Sequence, residues 1–421
     1  MIYKASHILT MTGDTIADSA VLVRDGGICD IGSNLAAAYP DEPVRDLGKC
    51  ALMPGFVNAH SHIDYTMQRN RHDALNLWDW IDNLGCRTGC FPDYDLALQS
   101  AILGATECAR SGITCLGDST FTGAAAEAMS KVGLRGIAYL ELFGQSMGNN
   151  YEQDFITKLN TARDIQSRIS ALVRIGLSPH AVYTSNQEVL KLCADSCAIS
   201  DIPIALHLAE TWAEADYTLK GTGPIAQWRA RMDRPPMITG LSPTQTIYEA
   251  GLLRKGVCLA HCVHVTDDEI DLIAHSEASV AHCPRSNAYL GAGIAPMTRF
   301  RSAGATIGLG TDSAGSCMRL DFFEEMRFAL GLARAIEQDA AVTTANDVLR
   351  MATIGGAETL GLDKCVGTIE VGKRADIVAV DLSDALSEED PALAIMSRSP
   401  SDVKLVLVDG TEIVTKRPSG P

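Results

Sequence analysis

PGFVNAHSHID, residues 54–64, closes an apolar run with two histidines two positions apart, His60 and His62. On a strand, side chains at i and i+2 leave the same face. Both imidazoles would then project from one side of one strand end, which suits two ligands on one metal ion. A hydrogen-bonded pair of histidines would read the same way. The surrounding chain has to decide.

Outward from this stretch, apolar β-type runs recur, each followed by a segment of helical period. There are eight: CALMPGFVNAH, GITCLGDST, LRGIAYLELFG, VRIGLSPHA, IPIALHLAE, GVCLAHCVH, ASVAHCP and TIGLGTDS. Strands alternating with helices imply parallel βαβ units. Eight such units predict an α/β fold, a (β/α)8 TIM-type barrel. The irregular segment GTGPIAQWRARMDRPPMITGLSPTQ reads as a loop over the active site. The two chain ends are different. MIYKASHILT and TIADSAVLVRDGGICDIG at the start, and VGTIEVGKRADIVAVDL and DVKLVLVDGTEIV at the end, are short β-rich pieces with DGG and DG turn signals. They predict a composite β-sandwich of residues 1–52 and 366–421, flanking a barrel over 53–365.

The polar residues of the runs gather at their C-terminal ends: His60 and His62, then His180, His207 with Glu210, His261 with His264, His282, and Asp312. In a (β/α)8 barrel those ends converge on one mouth, where active sites form. One or two such histidines could be satisfied core residues, but not the whole set. His60, His62, His207 and Asp312 offer three nitrogens and one carboxylate oxygen, a set for one divalent ion, Zn²⁺ with Fe²⁺ as the alternative. A bound ion brings water deprotonation toward neutral pH. Glu210, three residues past His207, is placed to shuttle a proton, and His261 to orient nucleophile or substrate.

The formal charge is −17, from 35 basic and 52 acidic residues. That argues against nucleic acid or an anionic membrane surface as partner. No apolar stretch is long enough for a transmembrane helix, and no signal peptide is evident. Thirteen cysteines lie scattered in apolar segments, including Cys86/Cys90, Cys193/Cys197 and Cys258/Cys262, as expected for packed thiols of a cytoplasmic protein. His-Glu-x-x-His, the Pro-Cys-x-x-Cys deaminase signature, Gly-x-Ser-x-Gly and the nucleotide-binding loops are absent.

PGFVNAHSHID, HLAET, AHCVH, AHCPRSNAYLGAGIAP, GLGTDS and VGTIEVGKRADIVAVD together resemble the amidohydrolase superfamily, in order and over nearly the whole chain. The branch is that of S-adenosylhomocysteine and methylthioadenosine deaminases, guanine deaminase and triazine hydrolases. The resemblance implies one metal on His60, His62, His207 and Asp312, with Glu210 as proton shuttle and His261 and Asp312 assisting. The strand ending in SPH carries no bridging lysine for a second ion. The implied reaction is hydrolytic release of ammonia from the 6-amino group of an adenine nucleoside by metal-bound hydroxide. The alternatives are deamination or dechlorination of guanine, 8-oxoguanine, a pterin or a triazine, and a non-catalytic metal-binding barrel. His180, His264, Asn287 and Ser313 are the implied substrate contacts. HLAETWAEADYTLKGTGPIAQW is most similar to the aminodeoxyfutalosine deaminase group of menaquinone biosynthesis, whose substrate carries a benzoate arm. Arg285 or Arg319 would meet such a carboxylate. Relatives of this kind imply a homo-oligomer and a small heterocyclic substrate.

Overall fold

A computed structural model describes residues 1–88, 93–144, 150–232, 238–385, 387 and 389–415. The strands, in chain order, are β1 (Ile2–Ile8), β2 (Ile16–Arg24), β3 (Gly27–Gly32), β4 (Val44–Asp46), β5 (Cys50–Pro54), β6 (Phe56–Ser61), β7 (Ile113–Thr120), β8 (Arg135–Glu141), β9 (Val173–Ser178), β10 (Ile204–Leu208), β11 (Val257–His261), β12 (Ser279–His282), β13 (Thr306–Leu309), β14 (Ile377–Asp381), β15 (Val403–Val408) and β16 (Thr411–Thr415).

Strands β6 to β13 pair in sequence order, all parallel. The ring closes just beyond β13, where Asp312 bridges Ser61 and its N–H donates to the His60 carbonyl at 3.0 Å. This is the predicted barrel, and each predicted run supplies one of its strands. The runs are apolar throughout because both faces are covered. Val57, Ala59, Cys115, Ile137, Tyr139, Ala205, Cys258 and Ala281 share a cluster inside the ring. Their neighbours Phe56, Leu116, Ala138, Leu206, Leu259 and Val280 belong to the larger core under the helices.

The first run proves to be two strands. It divides at Gly55, where a Cβ would lie 2.1 Å from the Thr114 side chain. Only glycine lets the chain pass there from one sheet to the other. Before the division, β5 joins a mixed sheet of order β16-β15-β14-β5-β1-β2-β3, with β4 on β1. Both chain ends thus build one unit, as their patterning predicts. The two turn signals touch: Gly410 lies against Gly26, and Ile28 N–H donates to the Lys373 carbonyl at 2.8 Å. Tyr3, Val21, Ile28, Leu52, Ile377 and Leu407 fill this sheet's own core. Met53, Val378 and Val406 turn the other way, into the barrel's core.

The irregular segment is not a plain loop. It forms a helix over Gly223–Arg231 and the start of another at Pro243–Glu249, with 233–237 outside the described residues. Buried Arg229 ties the first of these to the turn after β9, donating to the Tyr183 carbonyl at 3.4 Å. Cys193, Cys197, Cys258 and Cys262 are free thiols, and Cys90 lies outside the described residues.

Candidate active site

Each C-terminal strand end delivers its polar residue to one buried centre. The ring nitrogens of His60, His62 and His207 all lie within 4.8 Å of one another. The strand carries His60 only; β6 loses register between Asn58 and Ser61, and His62 begins the 3-10 turn over Ile63–Gln68. Such irregularities re-aim side chains beside active sites. His207 Nδ1 donates to the His180 carbonyl at 2.8 Å, which fixes its tautomer and leaves Nε2 as a lone pair, 3.0 Å from Nε2 of His62. His60 Nε2 is buried with no hydrogen-bond partner among the described residues. Burial holds all three imidazoles below their ordinary pKa, so they are neutral and able to coordinate.

Asp312 stands beside the trio. One carboxylate oxygen lies 3.7 Å from His62 Nε2 and 4.0 Å from His60 Nε2. The other accepts from Ser286 Oγ at 2.5 Å and Ser316 Oγ at 3.3 Å. Asp312 has φ +59°, His261 φ +75°, Cys262 φ +49° and Ala209 φ +49°. Backbone outliers of this kind persist where the surrounding structure over-determines them, and they cluster at functional sites.

A second cluster joins the first through Asp312: Glu210, His261 and Asp312 place their donor atoms within 4.8 Å of one another. Glu210 Oε1 is 3.7 Å from His261 Nδ1 and has no hydrogen-bond partner among the described residues. Burial, then the Asp312 charge, pushes its carboxyl well above the usual range. The loop that carries it is held from behind by Glu214, which accepts the N–H groups of Ala209 at 2.9 Å and Glu210 at 2.8 Å.

The expected substrate contacts divide. His180 faces the centre, its Nδ1 on Thr184 Oγ1 at 2.9 Å and its ring stacked on Phe143. Asn287 Oδ1 accepts from His261 Nδ1 at 2.9 Å, which orients His261, while its amide nitrogen is buried with no hydrogen-bond partner among the described residues. The Ser313 hydroxyl is engaged by Gly315 N–H as a helix cap. His264 Nε2 is engaged by the Ala292 carbonyl at 2.6 Å. Arg285 is a clamp. The two terminal nitrogens of its guanidinium donate to the carbonyls of Cys317, Arg319 and Asp321 and to Glu324 and Glu325. Arg319 is exposed.

Three contributors escaped the sequence reading: Ser286, Glu214 and Glu141. The last had a signal. Glu141 ends the run LRGIAYLELFG as the histidines end theirs, and its carboxylate lies within 4.8 Å of ring nitrogens of His180 and His207.

Residues 51–413 match the amidohydrolase family. The chain belongs to that family. The chain is 36% identical over 394 residues to the 5-methylthioadenosine/S-adenosylhomocysteine deaminase of Nitratidesulfovibrio vulgaris, covering 90% of this chain and 83% of the relative. It is 30% identical over 412 residues to the 5′-deoxyadenosine deaminase of Methanothermobacter thermautotrophicus, covering 96% and 92%. The fold superposes on the zinc-bound adenosine deaminase of Xanthomonas campestris with a TM-score of 0.84 at 28% identity, covering 98% and 92%. This amidohydrolase is thus a hydrolase of carbon–nitrogen bonds, and its neutral histidine trio with an orphaned His60 nitrogen fits a divalent cation. These relatives' names do not include aminodeoxyfutalosine, and of the two arginines expected to meet its acidic arm Arg285 is engaged within the protein. No helix among the described residues is long and apolar enough to cross a membrane.

Proposed function

We propose that this amidohydrolase removes the 6-amino group of an adenine nucleoside as ammonia, with zinc on His60, His62, His207 and Asp312. The observation that carries the reading is the meeting of two clusters: the His60, His62 and His207 trio, and Glu210 with His261 and Asp312, whose carboxylate oxygen lies 3.7 Å from His62 Nε2. The relatives named for methylthioadenosine, S-adenosylhomocysteine and 5′-deoxyadenosine support a nucleoside whose 5′ substituent varies.

The bound cation supplies Lewis acidity and makes water a nucleophile near neutral pH. The chain's own residues handle protons and orientation. Glu210 presents a carboxyl oxygen free of other bonds, so it takes the proton of the attacking water and gives it to the ring nitrogen beside the attacked carbon. A C–O bond forms as that nitrogen is protonated; the remaining hydroxyl proton is then taken by Asp312 and passed through Glu210 to the amino group, and the C–N bond breaks to leave the carbonyl and ammonia. His261, steadied by Asn287, holds the tetrahedral oxygen side of the substrate. His180 and Phe143 form the wall away from Glu210.

The test is ammonia release together with the adenine-to-hypoxanthine absorbance change, on zinc-loaded protein. Substrates are methylthioadenosine, S-adenosylhomocysteine, 5′-deoxyadenosine, adenosine, aminodeoxyfutalosine, guanine and a triazine. Turnover of the adenine nucleosides is expected. Turnover confined to guanine or triazine rings overturns the substrate class, and turnover confined to aminodeoxyfutalosine restores the acidic-arm assignment.

A further inference from the structure

We propose that Glu141 is a specificity-determining residue, whose carboxylate takes hydrogen bonds from donor groups on the substrate's sugar. The proposal deepens the adenine-nucleoside reading and rests on it. Glu141 is the last residue of β8 and only 2% exposed. No described residue gives it a hydrogen bond or ion pair, although its carboxylate stands within 4.8 Å of ring nitrogens on His180 and His207. A buried carboxylate without donors is costly to maintain. Other buried carboxylates of this chain have donors: one oxygen of Asp118 accepts from Ser61 Oγ and Ile63 N–H, and Glu214 accepts from three backbone amides. Glu141 is served by none, beside His180 and His207.

Its surroundings define the missing partner. Burial pushes the Glu141 carboxyl up to about 8, as happens to a carboxyl that lacks donors; the ionised form only accepts, so the partner that would complete it is a donor. Phe143 stacks on His180 with ring centres 4.7 Å apart and packs against Phe121 at 5.7 Å, giving an apolar wall beside the acceptor. A sugar ring matches this with an apolar C–H face and an edge of hydroxyls. Lys158 is the cation that acts on Glu141, but its ammonium lies over the Phe121 ring at 5.6 Å and forms no ion pair with it. Buried Asp64 adds negative charge nearby, so phosphate or carboxylate groups are disfavoured here. A second metal ion on Glu141, His180 and His207 does not compete. His207 has one nitrogen on the His180 carbonyl and the other turned to His62, and Thr184 engages His180 Nδ1.

The donor could be a sugar hydroxyl or an amine on the 5′ arm, and the experiment separates them. Steady-state kinetics on zinc-loaded wild type, Glu141→Gln and Glu141→Leu would compare adenosine, 2′,3′-dideoxyadenosine, 5′-deoxyadenosine and 5′-amino-5′-deoxyadenosine, with zinc content measured for each. Wild type is expected to favour adenosine over the dideoxy compound by about tenfold or more in kcat/KM. Glu141→Leu should shrink that ratio to below about threefold through KM, with kcat and zinc content held. Glu141→Gln keeps one acceptor oxygen, should fall between, and decides the matter if the leucine variant does not fold. Loss of preference for the amino arm with the hydroxyl preference intact overturns the sugar assignment. Unchanged ratios in both variants overturn the proposal while the nucleoside reading stands. Wild-type silence on every nucleoside overturns that reading itself, and the proposal with it.

Discussion

Glu214 accepts the backbone N–H of Glu210 at 2.8 Å, so one buried carboxylate positions another. The same side chain closes the capping box at Thr211 and holds Ala209 in its left-handed conformation. Glu214→Ala should therefore lower kcat about 10- to 100-fold, the range seen when outer-shell partners are removed, while zinc content stays constant. Glu214→Gln, with one acceptor left, should recover part of the loss. Steady-state kinetics with metal analysis checks this; zinc loss equal to the activity loss would contradict it.

Gly310 should tolerate no side chain. A Cβ there would lie 2.8 Å from Cys283 Sγ and 2.9 Å from His60 Cβ. Gly310→Ala should destabilise the fold by about 1–3 kcal/mol, as overpacking does, and displace His60. Reduced zinc per chain, measured after dialysis against a weak chelator, is the expected sign.

Arg285→Lys should not change selectivity between acid-bearing and neutral substrates. It should lower the melting temperature instead, because the 317–321 segment behind Asp312 loses its fork of bonds. Leaving such groups unpaired costs about 1–3 kcal/mol each when buried. A calorimetric scan paired with kcat/KM ratios separates the two roles.

Glu325 gives stability a pH dependence. It is fully buried beside Arg285, and burial pushes its carboxyl from the ordinary 4.5 up to about 8, with Arg285 opposing. Because the folded pKa lies above the unfolded one, the folded state holds this proton more tightly. Its contribution is complete below about pH 4.5 and is lost as pH rises through about 8. Melting temperature should fall between these limits, and Glu325→Gln should flatten the fall.

Arg135 joins the two sheets. At the start of β8 it donates to Asp376 at 2.7 and 3.1 Å and to Asp409 at 3.0 Å. Arg135→Ala strands the buried Asp376 carboxylate, a change worth about 3–5 kcal/mol. Denaturant unfolding should show this, with kcat of the folded fraction little altered.

The barrel and its centre were legible because they obey repeating rules. A strand covered on both faces must be apolar, and a barrel's chemistry must sit at strand C-termini, so His60, His207, His261 and Asp312 announce themselves by position. The protein partners of Arg285, Asn287 and Ser313 were not legible, for one reason. A motif gives a side chain's address but not its partner, and the partners lie 26 to 40 positions away at His261 and Glu325, or within a helix cap. Glu141 obeyed the positional rule but lay among Tyr139, Leu140 and Leu142, where it reads as one polar residue in a core strand. The Gly55 division was hidden because two buried strands in succession look like one long apolar run.

The Asp312–Ser61 bridge has a consequence for how the protein comes into being. The chain makes His60 and His62 with its first barrel strand and Asp312 just after its last, so the proposed ligand set straddles the seam of the ring. A nascent polypeptide that has not yet emerged past β13 has an open edge and an incomplete cation cradle. Ring completion and site completion are then a single event, and a chain truncated before residue 312 loses both together.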